Sequence, residues 1–381
     1  MQTIVIYLCI LYITLFWGLS IFDKYIKYTS FQRISMYVLL VIAFGTLAFT
    51  WQPATNDLTR QFQYLDQIRN NSGSITDFLR YPDVGGAQYS SLYAYNIYRY
   101  FIAKLFSCDS MFPLITVVII YCIFSYILFD YRKEYIFQGM NPAICISICL
   151  GCMPFLYVAS GIRNSLAAST MALAVYKYLY QQKSVIYFII IALIAALIHP
   201  VTLIAIPFAF MSKGNFGWKG ILLLFCILSI LSNLMRHFTL YNVKYFRLIG
   251  TYYVSYTSNT QYVSAKYYLY FDILVLLVII SSYVICKKNI EGTPEYRLYY
   301  FLLLYSVAVI AFVGNYDMVL RPCYLLGAFA AVPGTLIDDK RIWPQKWYWF
   351  RRLVIIVIVV SAIYVFVKYM NFFYAWSYNQ L

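Results

Sequence analysis

Apolar positions along this chain come in runs of roughly 17–25 residues, the length needed to cross a bilayer. Between the runs lie short stretches where polar and basic residues gather. The pattern predicts about twelve membrane helices. They fall near residues 3–20, 34–51, 111–129, 142–159, 162–180, 184–198, 200–212, 217–234, 267–286, 297–314, 317–337 and 352–370. Two of them, 184–198 and 200–212, are short enough to be tilted or partly re-entrant. The first run has no basic leader and no small-residue cleavage site, so it reads as a retained helix rather than a signal peptide. The expected fold class is an all-α polytopic integral membrane protein, with residues 1–381 forming one membrane domain.

Basic residues test that count, because short cytoplasmic connections carry the excess of Lys and Arg. With the N-terminus outside, the cytoplasmic connections hold Lys24, Lys27 and Arg33, then Arg132 and Lys133, then Lys177 and Lys183. Further along they hold Lys213 and Lys219, then Lys287, Lys288 and Arg297, and finally Lys340, Arg341, Lys346, Arg351 and Arg352. Counting residues 88–107 as a span would invert everything downstream. Asn96, Arg99 and Lys104 interrupt them, and they read instead as an amphipathic helix on the outer membrane surface. Two large segments, 52–110 and 235–266, then face outside. The first reads as a helical loop: Asn56 and Asp57 offer helix caps, and Ser74 with Asp77 offers a capping box.

Composition agrees with the pattern. Hydrophobic residues make up 63% of the chain and charged ones 11%, against about 25% charged in soluble domains. A net charge of +15 would suggest nucleic acid in a soluble protein; here the basic residues act as topology signals, and no nucleic-acid partner is expected. The 42 tyrosines suit interfacial belts or stacking on sugar rings, or simply reflect an AT-rich genome. Cys145, Cys149 and Cys152 share a helix face. With no His or second Cys pair beside them, they read as small packing residues, and neither a metal nor a cofactor is expected.

A few charges remain to be explained. Arg163 follows a Ser160-Gly161 bend and opens an apolar helix at the external face, with Ser160 available as a cap. Helix N-termini favour anions, and a guanidinium adds a bidentate partner for phosphate. Ala167, Ala168 and Ser169 would let a helix or a lipid approach closely. The plainer alternative is an interfacial arginine snorkelling to lipid headgroups. His199 stands just before Pro200, as the cap of the next helix. Asn315 and Asp317 begin another helix that carries Arg321 one turn inside, either as a structural ion pair or as a functional intramembrane charge. Asp57 and Arg60 follow the second run. All of these are expected on one face, while Asp272 sits near the outer end of its own helix.

Such a cluster suits the phosphate or pyrophosphate of a membrane-embedded lipid. Walker, HExxH and GxSxG motifs are missing from the sequence, which removes support for ATP hydrolysis, zinc chemistry and serine hydrolysis. The segments "NDLTR" (56–60), "SGIRNSLA" (160–167), "IHPVTLIAIP" (198–207) and "LRPCY" (320–324) together resemble the EpsG-like family of Wzy-type polysaccharide polymerases. The resemblance covers residues 50–330 in order and approximate spacing.

The resemblance implies a multi-pass glycosyltransferase of GT-C-like architecture in the bacterial inner membrane, with its active site facing the periplasm. Such enzymes join undecaprenyl-pyrophosphate-linked oligosaccharide repeats of O-antigen, capsule or exopolysaccharide, commonly with a chain-length regulator as partner. Arg163 and Arg321 would hold the leaving pyrophosphate with Arg60 assisting, and Asn315 and Asp317 would support that subsite. Asp57 or His199 would be the general base, unless His199 binds phosphate or a sugar hydroxyl instead. A lipid-linked oligosaccharide flippase is the rival of another class, but it should show two related halves. An O-antigen ligase shares the donor, and its large external loop could be matched by 235–266 with His237.

Overall fold

The computed structural model describes residue 18 and residues 30–50, 57–71, 73–80, 92–134, 142–214, 216–237, 266–313 and 316–378. The expected helix at 3–20, apart from Gly18, and most of the loop 235–266 lie outside the described residues. What is described is all-helical.

Where an apolar run carries no break, the helix matches its expectation. This holds for α1 (Ser30–Thr50) and, across the external segment, for α5 (Met111–Glu134). Between them lie three shorter helices, α2 (Asp57–Asn71), α3 (Ile75–Arg80) and α4 (Tyr93–Leu105). The capping box forms at the start of α3: the Asp77 N–H donates to Ser74 Oγ at 3.1 Å, and the Ser74 N–H reaches Asp77 Oδ2 at 3.4 Å. Helix α4 buries Tyr95, Asn96, Arg99, Ile102 and Ala103 on one face and exposes Tyr93, Phe101 and Leu105 on the other.

Two expected spans are broken. The run at 142–159 divides into α6 (Pro142–Cys152) and α7 (Phe155–Ser160), because Pro154 excludes the helical conformation at Met153 and supplies no N–H of its own. The run at 317–337 divides into α14 (Tyr316–Ala328) and α15 (Ala331–Asp338), bent by 77°. Between these pairs the chain forms α8 (Ile162–Leu179), α9 (Val185–Ile198), a 3-10 turn (Pro200–Ile204), α10 (Ala205–Met211), α11 (Trp218–His237), α12 (Lys266–Ile290) and α13 (Tyr296–Ala311). Helix α16 (Tyr348–Tyr378) closes the chain. Three described helices, within α5, α12 and α16, are long and apolar enough to cross a membrane, and the bent α14–α15 pair makes a fourth if taken as one span.

The core is built around α6, α8, α13 and the bent pair. Glycines set the closest approaches. A Cβ on Gly327 would stand 2.7 Å from Met153 Cβ and 3.2 Å from the Cys149 carbonyl oxygen, and one on Gly334 would stand 2.5 Å from Cys145 Sγ. Cys145 thus packs as a small residue against the bent pair. Tyrosines do much of the remaining work inside rather than in interfacial belts. Tyr121, Tyr131, Tyr176, Tyr283, Tyr299, Tyr300 and Tyr305 are fully buried, and several of their hydroxyls bond between helices, as Tyr131 does to Tyr299 at 3.0 Å and Tyr176 to Asp130 at 2.7 Å. Outward-facing apolar side chains crowd α9, α11 and α16, among them Ile190, Leu223 and Ile356, the surface a helix presents to lipid.

Candidate anion site at the helix starts

Arg163 is the second residue of α8. Gly161, not Ser160, holds the N-cap position; Ser160 ends α7. The reason is local. The Gly161 N–H donates to the Tyr157 carbonyl at 2.6 Å, and a Cβ there would lie 2.8 Å from the same oxygen. Only glycine fits this close approach. Ser165 Oγ ties the bend down by donating to the Gly161 carbonyl at 3.1 Å. The buried Ala167, Ala168 and Ser169 let a helix rather than a lipid come close, since α8 packs against α5, α9 and α14.

His199 lies in the connection between α9 and the 3-10 turn, with extended backbone (φ −155°, ψ 118°). It caps the turn as the sequence suggests: Nδ1 accepts the Val201 N–H at 3.3 Å, while its carbonyl accepts the Thr202 hydroxyl at 3.0 Å. With Nδ1 accepting, the ring proton belongs on Nε2. Burial, then the Arg321 and Arg163 guanidiniums, lower the imidazole pKa from 6.5 to about 3. His199 is therefore a neutral Nε2–H donor standing beside two fixed cations.

Arg321 enters from α14, which packs against both the 3-10 turn and α8. The next residue, Pro322, sits inside the helix, and its carbonyl accepts the Tyr305 hydroxyl at 2.8 Å, fixing this helix to α13. Asn315 and the side chain of Asp317 lie outside the described residues. Asp57 and Arg60 form an ion pair in the first turn of α2, with side chains 35% and 55% exposed, whereas Arg163 and Arg321 are half-buried and His199 is buried.

The structure adds residues the sequence reading passed over. Gln61, next to Arg60, accepts the Tyr95 hydroxyl at 2.8 Å. The Tyr95 ring is fully buried and has the guanidinium carbons of Arg99 and Arg163 at 5.0 and 5.9 Å from its centroid. Arg99, 1% exposed, donates to Asn96 Oδ1 at 2.6 Å. Through Tyr95 the start of α2 is joined to Arg163. The signal was present in α4: Tyr95, Asn96, Arg99, Ile102 and Ala103 fall at helical spacing, so a polar pair lies on the face that packs. Asp272 is fully buried in α12, close to the Cys152 and Cys323 thiols rather than among these charges. Among the described residues, no group of three His, Cys, Asp or Glu is placed to hold a metal.

Fold and site together define an all-helical membrane protein with arginines and a neutral imidazole gathered where helices begin, a constellation that suits an anion. The chain belongs to the EpsG family, whose model matches residues 33–380, and EpsG is a family of Wzy-like polysaccharide polymerases. Neither a curated relative nor a solved structure matches the chain.

Proposed function

We propose that the protein joins undecaprenyl-pyrophosphate-linked oligosaccharide repeats at the periplasmic face of the bacterial inner membrane, in a fold of about twelve spans with GT-C-like architecture. The observation that carries this reading is the convergence of Arg163, Arg321 and a neutral His199 at adjoining helix starts. In the reaction an acceptor hydroxyl oxygen bonds to the donor's anomeric carbon as the bond from that carbon to the pyrophosphate oxygen breaks. The hydroxyl proton passes to a carboxylate, and the electron pair leaves on pyrophosphate. Arg163 and Arg321 take up the developing negative charge, the largest single demand of such a step. His199 donates Nε2–H to a phosphate or sugar oxygen; with its proton affinity so depressed it is a poor base, which leaves Asp57 as the proton acceptor and Arg60 as its partner. Asn315 and Asp317 support the Arg321 subsite, and a chain-length regulator is the expected partner.

The test is the length distribution of surface glycan in the native host, comparing a clean deletion, the wild-type gene and an Arg163→Ala copy with confirmed membrane expression. Single-repeat glycans in both mutants support the reading. Complete loss of surface glycan, with lipid-linked repeats held inside, would instead identify a flippase. An unchanged ladder in Arg163→Ala would reduce Arg163 to an interfacial anchor.

A further inference from the structure

Helix α16 carries two faces at helical spacing. Val354, Ile358, Ala362 and Val365 are buried, and the helix packs on α6 and α12. Trp349, Leu353, Ile356, Val360, Ile363 and Val367 form the opposite stripe, each at least 43% exposed. Only 22% of this span is buried inside the protein, against 50% for the spans in α5 and α12. The charge lies at one end of the stripe. A 3-10 turn, Gln345–Trp347, leads into the helix, and Lys346, Trp349 and Arg352 follow at intervals of three, all exposed. Lys340 is exposed in the connection just before them. The carboxylates of this region already have cations. Arg351 pairs with Asp338 at 3.4 Å, Arg341 with Asp339 at 3.1 Å and Lys287 with Glu291 at 3.4 Å. Glu291 belongs to the region because Asn289 Nδ2 donates to the Ile342 carbonyl at 2.9 Å, bringing the end of α12 to the connection. Among the described residues, Lys340, Lys346 and Arg352 pair with no carboxylate. The patch is held in shape: Trp343 Nε1 donates to the Leu336 carbonyl at 3.0 Å, and the Trp347 and Trp349 rings stack 6.4 Å apart.

We propose that this end of α16 is a binding site for one anionic phospholipid. Lys346, Arg352 and Lys340 take the phosphodiester, Trp349 sits at headgroup depth, and the acyl chains lie along the stripe from Leu353 to Val367. A phospholipid supplies both parts of the complement in one molecule, a negative headgroup beside an apolar chain. Tryptophan is favoured at that depth, and lysine and arginine stems cover apolar surface while their charges reach the headgroup. Each basic residue just outside a span strengthens attraction to anionic lipid roughly fivefold. The role belongs to these unmatched charges and not to basic connections in general. It is independent of the pyrophosphate assignment of Arg163.

The experiment uses the full chain in detergent micelles, titrated with phosphatidylglycerol or with phosphatidylcholine of the same acyl chains. Native mass spectrometry reads bound lipid and oligomeric state. Wild type is compared with Lys346→Gln/Arg352→Gln, with Lys346→Glu/Arg352→Glu, and with Lys183→Gln/Lys213→Gln. The last pair removes two exposed lysines from the α8–α9 and α10–α11 connections. Wild type is expected to hold phosphatidylglycerol more tightly than phosphatidylcholine. Lys346→Gln/Arg352→Gln should bind phosphatidylglycerol roughly 30-fold more weakly, with phosphatidylcholine affinity and unfolding midpoint unchanged. Lys183→Gln/Lys213→Gln should match wild type, and the glutamate pair should prefer phosphatidylcholine. Equal affinity of wild type for the two lipids overturns the site. Equal loss in both glutamine pairs overturns it too, by assigning binding to overall charge. A change of oligomeric mass in Lys346→Gln/Arg352→Gln, with phosphatidylglycerol affinity unaltered, also overturns it and makes the stripe a protein interface.

Discussion

His199 offers the sharpest test because the chain has only two histidines. In a His237→Gln background the 15N spectrum of a histidine-labelled sample reports one imidazole alone. The geometry predicts the Nε2–H tautomer, since Nδ1 is already an acceptor for Val201. It also predicts that the ring stays neutral far below its ordinary range, because burial and then Arg321 and Arg163 lower its pKa from 6.5 to about 3. The sign is fixed by linkage. Between those two values the unfolded chain binds a proton that the folded chain does not. Stability at this site is therefore complete above pH 6.5 and declines as pH falls toward 3, by about 1.4 kcal/mol per pH unit. Arg321→Gln removes the larger of the two charge contributions and should move the titration upward. Loss of the Nε2–H donor in His199→Ala should cost about 1.5–3 kcal/mol of binding to a charged oxygen, roughly 10- to 150-fold in kcat/KM. Loss of the cap on the 3-10 turn also costs about 0.5–2 kcal/mol of local stability. His199→Asn keeps an acceptor and a donor on one amide and should retain more activity than His199→Ala. An imidazole titrating near 6.5, or carrying its proton on Nδ1, would refute the reasoning.

Two further outcomes follow from other parts of the structure. Asp57→Asn should lower kcat by roughly 10²–10⁴ with little change in KM if Asp57 accepts the hydroxyl proton, measured with a purified lipid-linked donor; an unchanged kcat assigns the proton elsewhere. Gly334→Ala places a Cβ 2.5 Å from Cys145 Sγ, an overpacking cost of about 1–3 kcal/mol set against about 1 kcal/mol of helix propensity gained. The double variant with Cys145→Ala should recover most of the lost thermal stability, and equal melting of single and double variants would place the clash outside this pair.

The all-helical, apolar character of the fold was legible because bilayer length acts on composition alone. Breaks within apolar runs were less so. Met153 and the Phe329-Ala330 junction are themselves apolar, so a hydropathy reading passes through them, although Pro154 dictates the end of α6 by sterics. The charged members of the site were visible for the opposite reason: Arg163 and Arg321 stand out against long apolar surroundings. Tyr95 did not stand out among 42 tyrosines. Its importance comes from a contact between α4 and α8 that no local pattern encodes. Gly161 was misjudged in favour of Ser160 for a related reason. Capping preference points to serine, but the 2.6 Å approach to the Tyr157 carbonyl admits only glycine.

That the same few residues bind and fold is not required, and the site's electrostatics argue against it. Arg163 opposes the dipole of its own helix at a cost of about 0.3–1 kcal/mol. Its contact with Tyr95 returns a similar amount, about 0.5–1 kcal/mol. With Arg321 it also lowers the proton affinity of His199, a positive field that favours a bound anion. Replacing Arg163 by Gln should therefore change the unfolding free energy by less than about 1 kcal/mol while weakening pyrophosphate binding at least tenfold, the pattern of a residue kept for function. A structural guanidinium behaves otherwise: breaking a buried ion pair costs about 3–5 kcal/mol. Denaturant unfolding of the two proteins in matched micelles, alongside the binding measurement, separates the cases. A loss in the latter range would make Arg163 part of the scaffold and remove the site's main cation from the chemistry.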